Sequence, residues 1–216
     1  MLDPCSLTLA RTALNKNIRC LIHAFQLLLG VDLGLRFTFC FCSVKRLLIK
    51  NMIIYEEILR AFQKQKVKYV LVGGIAVNLL GSLRSTADMD ILVEMSNDNL
   101  RKIVGILKKK GYRVKQPVDP MGIADEKLRY DWVVNKHMKA FNFYKEDGLK
   151  EVDIIIDSPV SFAQAKKNIL KIKIDEIILP VISIDNLIKM KANTGRSRDK
   201  LDIEELKKIK KLKRVK

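Results

Sequence analysis

Asp88 and Asp90 flank Met89 at the head of an apolar run, Ile91-Leu92-Val93. Strand side chains alternate in direction, so both carboxylates point to one face. Two carboxylates on one rigid face suit a hard divalent cation such as Mg²⁺. Upstream, Gly73-Gly74 follow the apolar run Val70-Leu71-Val72. A glycine turn at the start of a helix presents backbone N–H groups that suit phosphate. A phosphate cradle beside metal carboxylates is the equipment of phosphoryl or nucleotidyl transfer.

Two-metal chemistry calls for a third carboxylate to complete the second site and take the acceptor proton. Asp153 stands mid-strand in Glu151-Val152-Asp153-Ile154-Ile155-Ile156, where an unpaired acid is costly and a cation is its natural partner. Glu151 shares its face and is the reserve candidate; Asp157 shares it too but sits beside a Ser-Pro break. The plain alternative is an exposed edge-strand acid. Arg84, with Ser85-Thr86, precedes the aspartate pair, and a guanidinium fork there suits triphosphate oxygens; a solvated loop charge is the alternative. Lys191 is a second cation able to reach inward, or else an ordinary surface lysine. Asp199 and Asp202 share one helix face. They orient that lysine or a nucleobase, or they form a structural ion-pair network.

These residues need a scaffold. Apolar positions Ile54, Ile58, Leu59 and Phe62 have helical spacing within residues 52–66. A buried strand is expected over 67–72, a short helix over 75–80 that stops at Gly81, and the Asp-x-Asp strand over 89–94. Ser96 caps a helix running to Lys110, with Gly111 at its end, and a strand follows over 112–115. Residues 116–131 read as loop, with Pro117, Pro120 and Gly122. Asp147-Gly148 joins apolar runs 138–144 and 151–156 as a hairpin. A helix is expected over 158–169, strands over 171–174 and 177–182, a helix from Ser183 or Asp185 to near Gly195, and a basic helix from Arg198 to the C-terminus. The tail from Lys207 to Lys216 suits an RNA backbone or is a solvated helix end.

The composition is globular, 48% hydrophobic and 30% charged. The net charge of +17 favours anionic partners and speaks against polycationic acceptors such as aminoglycosides. A lysine-rich thermophilic style of composition explains the same charge. Cys5, Cys20, Cys40 and Cys42 all lie near the N-terminus, without zinc-ligand spacing. Nothing demands an oxidising compartment, so a cytoplasmic protein is expected. Residues 1–51 depart in character from the rest and contain no uncharged stretch long enough to span a membrane. They are read as an atypical extension outside the functional domain, with Met52 as the natural start; a helical hairpin covering the domain is the alternative. The remaining parts are a core over 52–182 and a helical segment with a basic tail over 183–216.

Gly73-Gly74-Ile75-Ala76-Val77, Gly81, Arg84, Thr86, Asp88 and Asp90 together resemble the signature of small nucleotidyltransferases in the DNA polymerase beta-like superfamily. The resemblance is nearest to the AbiEii toxin-like branch, and residues 187–206 are similar to that branch's C-terminal pattern. It implies an α+β fold: a mixed β-sheet core with helices packed on it and a small helical C-terminal part. It also implies Mg²⁺-dependent transfer of a nucleotide from an NTP such as ATP, with two ions and Mn²⁺ as a substitute. Asp88, Asp90 and Asp153 would hold the metals, and Asp153 would serve as base. Gly73, Gly74, Arg84, Thr86 and Lys191 would hold the nucleotide. A macromolecular acceptor is expected, tRNA first and protein second, with an antitoxin protein as partner. A small-molecule, antibiotic-type acceptor and a non-catalytic nucleotide- or RNA-binding module are the alternatives.

Overall fold

The computed structural model describes residues 54–82, 86–146 and 150–214. Helix α1 covers 54–64. Then follow β1 Tyr69–Leu71, α2 Gly73–Leu80, β2 Met89–Val93, α3 Asn97–Lys109, β3 Arg113–Val114, a 3₁₀ turn Pro120–Ala124 and α4 Glu126–Val134. The chain continues with β4 Ala140–Tyr144, β5 Glu151–Ile155, α5 Phe162–Lys167, β6 Leu170–Ile174, β7 Ile177–Val181, α6 Ile184–Ala192 and α7 Ser197–Arg214. The expected extension 1–51 and the Asp147-Gly148 turn lie outside the described residues, as does Arg84.

The seven strands form one mixed sheet in the order β3-β4-β5-β2-β1-β7-β6. β2 pairs antiparallel with β1 and parallel with β5, and β4 pairs antiparallel with β5. This is the expected α+β architecture. Alternation along these strands sorts the residues onto two faces. Met89, Ile91, Val93, Val152, Ile154, Phe141 and Phe143 are fully buried and form one face of the central strands. Asp90, Asp153 and Asn142 take the alternate positions and are half-buried. Leu187 of α6 and Leu206 of α7 join the same apolar core as the strands and α1.

Local chemistry sets the element ends. The Ser161 hydroxyl accepts from the Gln164 N–H, and the Gln164 side chain accepts from the Ser161 N–H, a reciprocal cap that starts α5. It starts later than the sequence reading placed it, after Pro159 has interrupted the chain. Asn99, buried in α3, stitches the sheet: its side chain accepts from Lys68 N–H and donates to the carbonyls of Lys68 and Glu94, each at 2.9 Å. The expected loop over 116–131 is instead a 3₁₀ turn followed by α4. Asp125 caps α4 by accepting from Lys127 and Leu128 N–H. Trp132 is its one buried residue, so no apolar stripe announces the helix in the sequence.

Candidate active site

The ladder between β2 and β5 places Asp90 directly opposite Asp153, one strand spacing apart. On the other side of β5, Asn142 of β4 faces Asp153. Asp88 lies one residue ahead of β2 and is exposed at the mouth of this face. Glu151, two residues before Asp153, shares its face and is paired with Lys115 at 2.6 Å. Sequence alternation thus brings Asp90 and Asp153 together, with Asp88 on the adjoining edge.

The glycine bend is shaped around Asp90. Gly73 has φ of +60°, and a Cβ there would stand 1.8 Å from Oδ2 of Asp90. A Cβ at Gly74 would meet Oγ1 of Thr86 at 2.6 Å. Both positions therefore exclude any side chain, one by conformation and contact, the other by contact. The Gly74 N–H donates to the Asp90 carboxylate, so part of the bend's donor capacity holds a protein carboxylate. Thr86 is half-buried against the bend.

The electrostatics favour a cation. Burial pushes the Asp90 carboxyl up to about 6, and the charges of Asp153 and Asp88 add to it. Gly74 N–H and Lys191 act in the opposite sense. Burial also raises the Asp153 carboxyl, against a hydrogen bond from the Asn142 side chain, and Asp88 and Glu151 raise it further. Oδ1 of Asp153 is the one buried side-chain polar atom among the described residues that has no hydrogen-bond partner. Two neighbouring acids that gain by losing charge repulsion, one with a bare buried oxygen, fit a hard divalent cation. Among the described residues, no group of three or more His, Cys, Asp or Glu side chains closes around a single metal position. Mg²⁺ is commonly held by one or two carboxylates together with substrate phosphates and water, so a two-acid platform suffices.

Lys191 is buried at the junction of α6 and α7. Its Nζ lies 2.6 Å from Oδ1 of Asp199 and 2.7 Å from Oδ2 of Asp202. Thr194 donates to the other oxygen of Asp199 at 2.6 Å. Burial would raise the Asp199 carboxyl, but the hydrogen bonds from Lys191 and Thr194 outweigh it and hold it low. The lysine is thus held in a buried ion cluster by both aspartates, and its charge acts to lower the Asp90 carboxyl. The Ser82 hydroxyl, following α2, donates to Glu205 of α7 and ties the glycine-bend helix to this unit.

Sequence reasoning missed Tyr55. It belongs to the apolar stripe of α1 with Ile58, Leu59 and Phe62, all buried. Its hydroxyl lies 2.5 Å from the Ala87 carbonyl and 2.7 Å from that of Glu151, and accepts from Glu151 N–H at 3.0 Å. Helical spacing predicts the burial of its ring, whereas the target of its hydroxyl depends on tertiary structure. Gln116, which donates to Oδ1 of Asn142 at 2.6 Å, was likewise hidden in an expected loop.

Comparison with known proteins follows the same lines. The family model described as aminoglycoside-2''-adenylyltransferase matches residues 55–206. No curated protein matches the chain. The lincomycin-bound crystal structure of the lincosamide antibiotic adenylyltransferase LnuA has a TM-score of 0.50 at 20% identity, covering 74% of this chain and 96% of that one. The solution structure of the antibiotic-resistance factor ANT(2'')-Ia gives 0.46 at 13% identity, covering 77% and 91%. The crystal structure of ANT(2'')-Ia with adenylyl-2''-tobramycin gives 0.45 at 14%, covering 77% and 96%. The likeness of fold rests on the first of these. The expected nucleotidyltransferase superfamily holds, but the match lies with antibiotic adenylyltransferases and nothing in it points to the AbiEii-like branch. No helix among the described residues is long and apolar enough to cross a membrane. The chain is a nucleotidyltransferase and belongs to the aminoglycoside-2''-adenylyltransferase family.

Proposed function

We propose that the chain transfers AMP from ATP to a hydroxyl of a small, antibiotic-type molecule in the cytoplasm. The observation that carries this reading is the in-register pairing of Asp90 with Asp153 beside the glycine bend. The family match supports the small-molecule acceptor, in place of the tRNA or protein acceptor and the antitoxin partner that the sequence motif suggested. A bound divalent ion, Mg²⁺ or Mn²⁺, would neutralise the triphosphate and polarise the reacting phosphorus. Asp90 and Asp153 would hold it, with Asp88 joining from the edge. A second ion would draw on the same three acids.

Asp153 also accepts the acceptor's proton: its buried Oδ1 has no other partner among the described residues. The acceptor oxygen then bonds to the α-phosphorus, the bond from that phosphorus to the bridging oxygen breaks, and pyrophosphate leaves with the electron pair. Gly73 and Gly74 let Asp90 and Thr86 pack against the bend, and the backbone N–H groups left there would hold the triphosphate. Thr86, Arg84 and Lys191 supply the remaining contacts, with Lys191 delivered by Asp199 and Asp202. The +17 charge of the chain is no obstacle to a cationic acceptor. Recognition is local, and the groups around the acceptor decide it rather than a sum over the whole chain.

The test is transfer of label from α-labelled ATP, with Mg²⁺, to aminoglycosides, to a lincosamide and to total tRNA. Label on a small molecule, absent with Asp90→Asn, is the expected result. Label on tRNA alone overturns the acceptor assignment.

A further inference from the structure

Asp88 stands beyond the reach of the sheet. The paired rungs between β2 and β5 run from Met89 opposite Val152 to Leu92 opposite Ile155, and none includes Asp88. The link between the chain at Asp88 and the chain leading to Asp153 is supplied by a side chain of another element. The Tyr55 hydroxyl, on α1, sits between the carbonyl of Ala87, immediately before Asp88, and the backbone of Glu151, two residues before Asp153. Tyr55 is 1% exposed, so its hydroxyl reaches both strands from within the core. Burial raises the hydroxyl's pKa, and the charges of Asp88 and Asp153 act in the same direction. It therefore stays a proton donor wherever the protein is folded.

We propose that Tyr55 is a positioning residue for the metal carboxylates: its hydroxyl replaces a missing rung of the ladder and sets the spacing of Asp88 from Asp153. This rests on the reading of those acids as metal ligands. Like-charged groups on adjacent strand ends push apart, and a loose end must be drawn back when a cation binds. A fixed tether removes that reorganisation, and supporting contacts of this kind shift metal affinity by about 10–100-fold.

The experiment compares Tyr55→Phe with Tyr69→Phe. Tyr69 is the second deeply buried tyrosine whose pKa is raised, there by burial alone, with no contribution from the site's acids. Mn²⁺ binding is measured by calorimetry and electron spin resonance, alone and with a non-hydrolysable ATP analogue whose own Mn²⁺ binding is subtracted, and melting temperature alongside. Both variants are expected to melt lower. Only Tyr55→Phe is expected to bind Mn²⁺ more weakly, by about 10–100-fold, with transfer recovering as metal is raised. Equal Mn²⁺ affinity in Tyr55→Phe and wild type overturns the tether and leaves the proposed function standing. No Mn²⁺ binding by wild type overturns the metal reading and the tether with it.

Hydrogen exchange at the Glu151 amide in metal-free wild type decides the matter even should Tyr55→Phe not fold. Protection comparable to that of β5 is expected, and free exchange overturns the proposal.

Discussion

Burial, with Asp153 and Asp88 nearby, pushes the Asp90 carboxyl up to about 6, well above an unfolded aspartate at about 3.9. Between those values the folded protein binds more protons than the unfolded chain, so stability from this group falls as pH rises through that window. The burden is fully present above about pH 6 and is relieved either by a proton or by a cation. A divalent ion is therefore expected to raise the melting temperature more at about pH 7.5 than at about pH 5. A thermal melt with and without Mg²⁺ at the two pH values checks this. Asp88 and Asp90 were legible in sequence, because strand alternation assigns both to one face, whereas Asp153 was placed only by its hairpin context and its position opposite Asp90 comes from the β2–β5 register. The role of Gly73 was only half legible. Its positive φ follows from the turn, but its contact with the Asp90 carboxylate depends on how β2 returns beside β1.

At the scale of elements, α6 and α7 are joined by a charge cluster in which Lys191, Asp199 and Asp202 are all buried. Removing one member of a buried pair leaves an uncompensated charge, at a cost of about 3–5 kcal/mol. Lys191→Met is expected to lose stability on that scale, read as a lower urea midpoint at unchanged slope. A variant as stable as wild type would show that the cluster does not hold the two helices. The pairing of Asp199 and Asp202 with the lysine was an open alternative in the sequence, since residues three apart share a helix face but their partner is not specified. Helix α4 was not legible at all. Its surface residues Leu128, Tyr130 and Val134 are exposed, so the apolar periodicity that announces α3 is missing. Only Asp125 at the cap position hinted at its start.

The whole molecule illustrates how far a global property can mislead. A net charge of +17 averages over the entire chain, whereas an acceptor samples the few groups of one sheet face. The charge argument accordingly pointed toward RNA, whereas the family whose model matches is described as an aminoglycoside adenylyltransferase. The shared glycine-bend and Asp-x-Asp signature explains why the superfamily was legible and the branch was not: it encodes the handling of triphosphate and metal, which all branches need.

On the proposed function, Asp153 is kept half-buried with an unpartnered Oδ1 because a metal-dependent transfer requires it. Replacing it by Asn removes the charge repulsion and the desolvation cost while keeping the shape. Asp153→Asn should therefore lower adenylyl transfer by about 10²–10⁴-fold while leaving the melting temperature at or above that of wild type. The decisive measurement is single-turnover transfer from labelled ATP beside a thermal melt of the same preparation. Lost transfer with a stable fold is the predicted result. Transfer at the wild-type rate would rule out that role for Asp153.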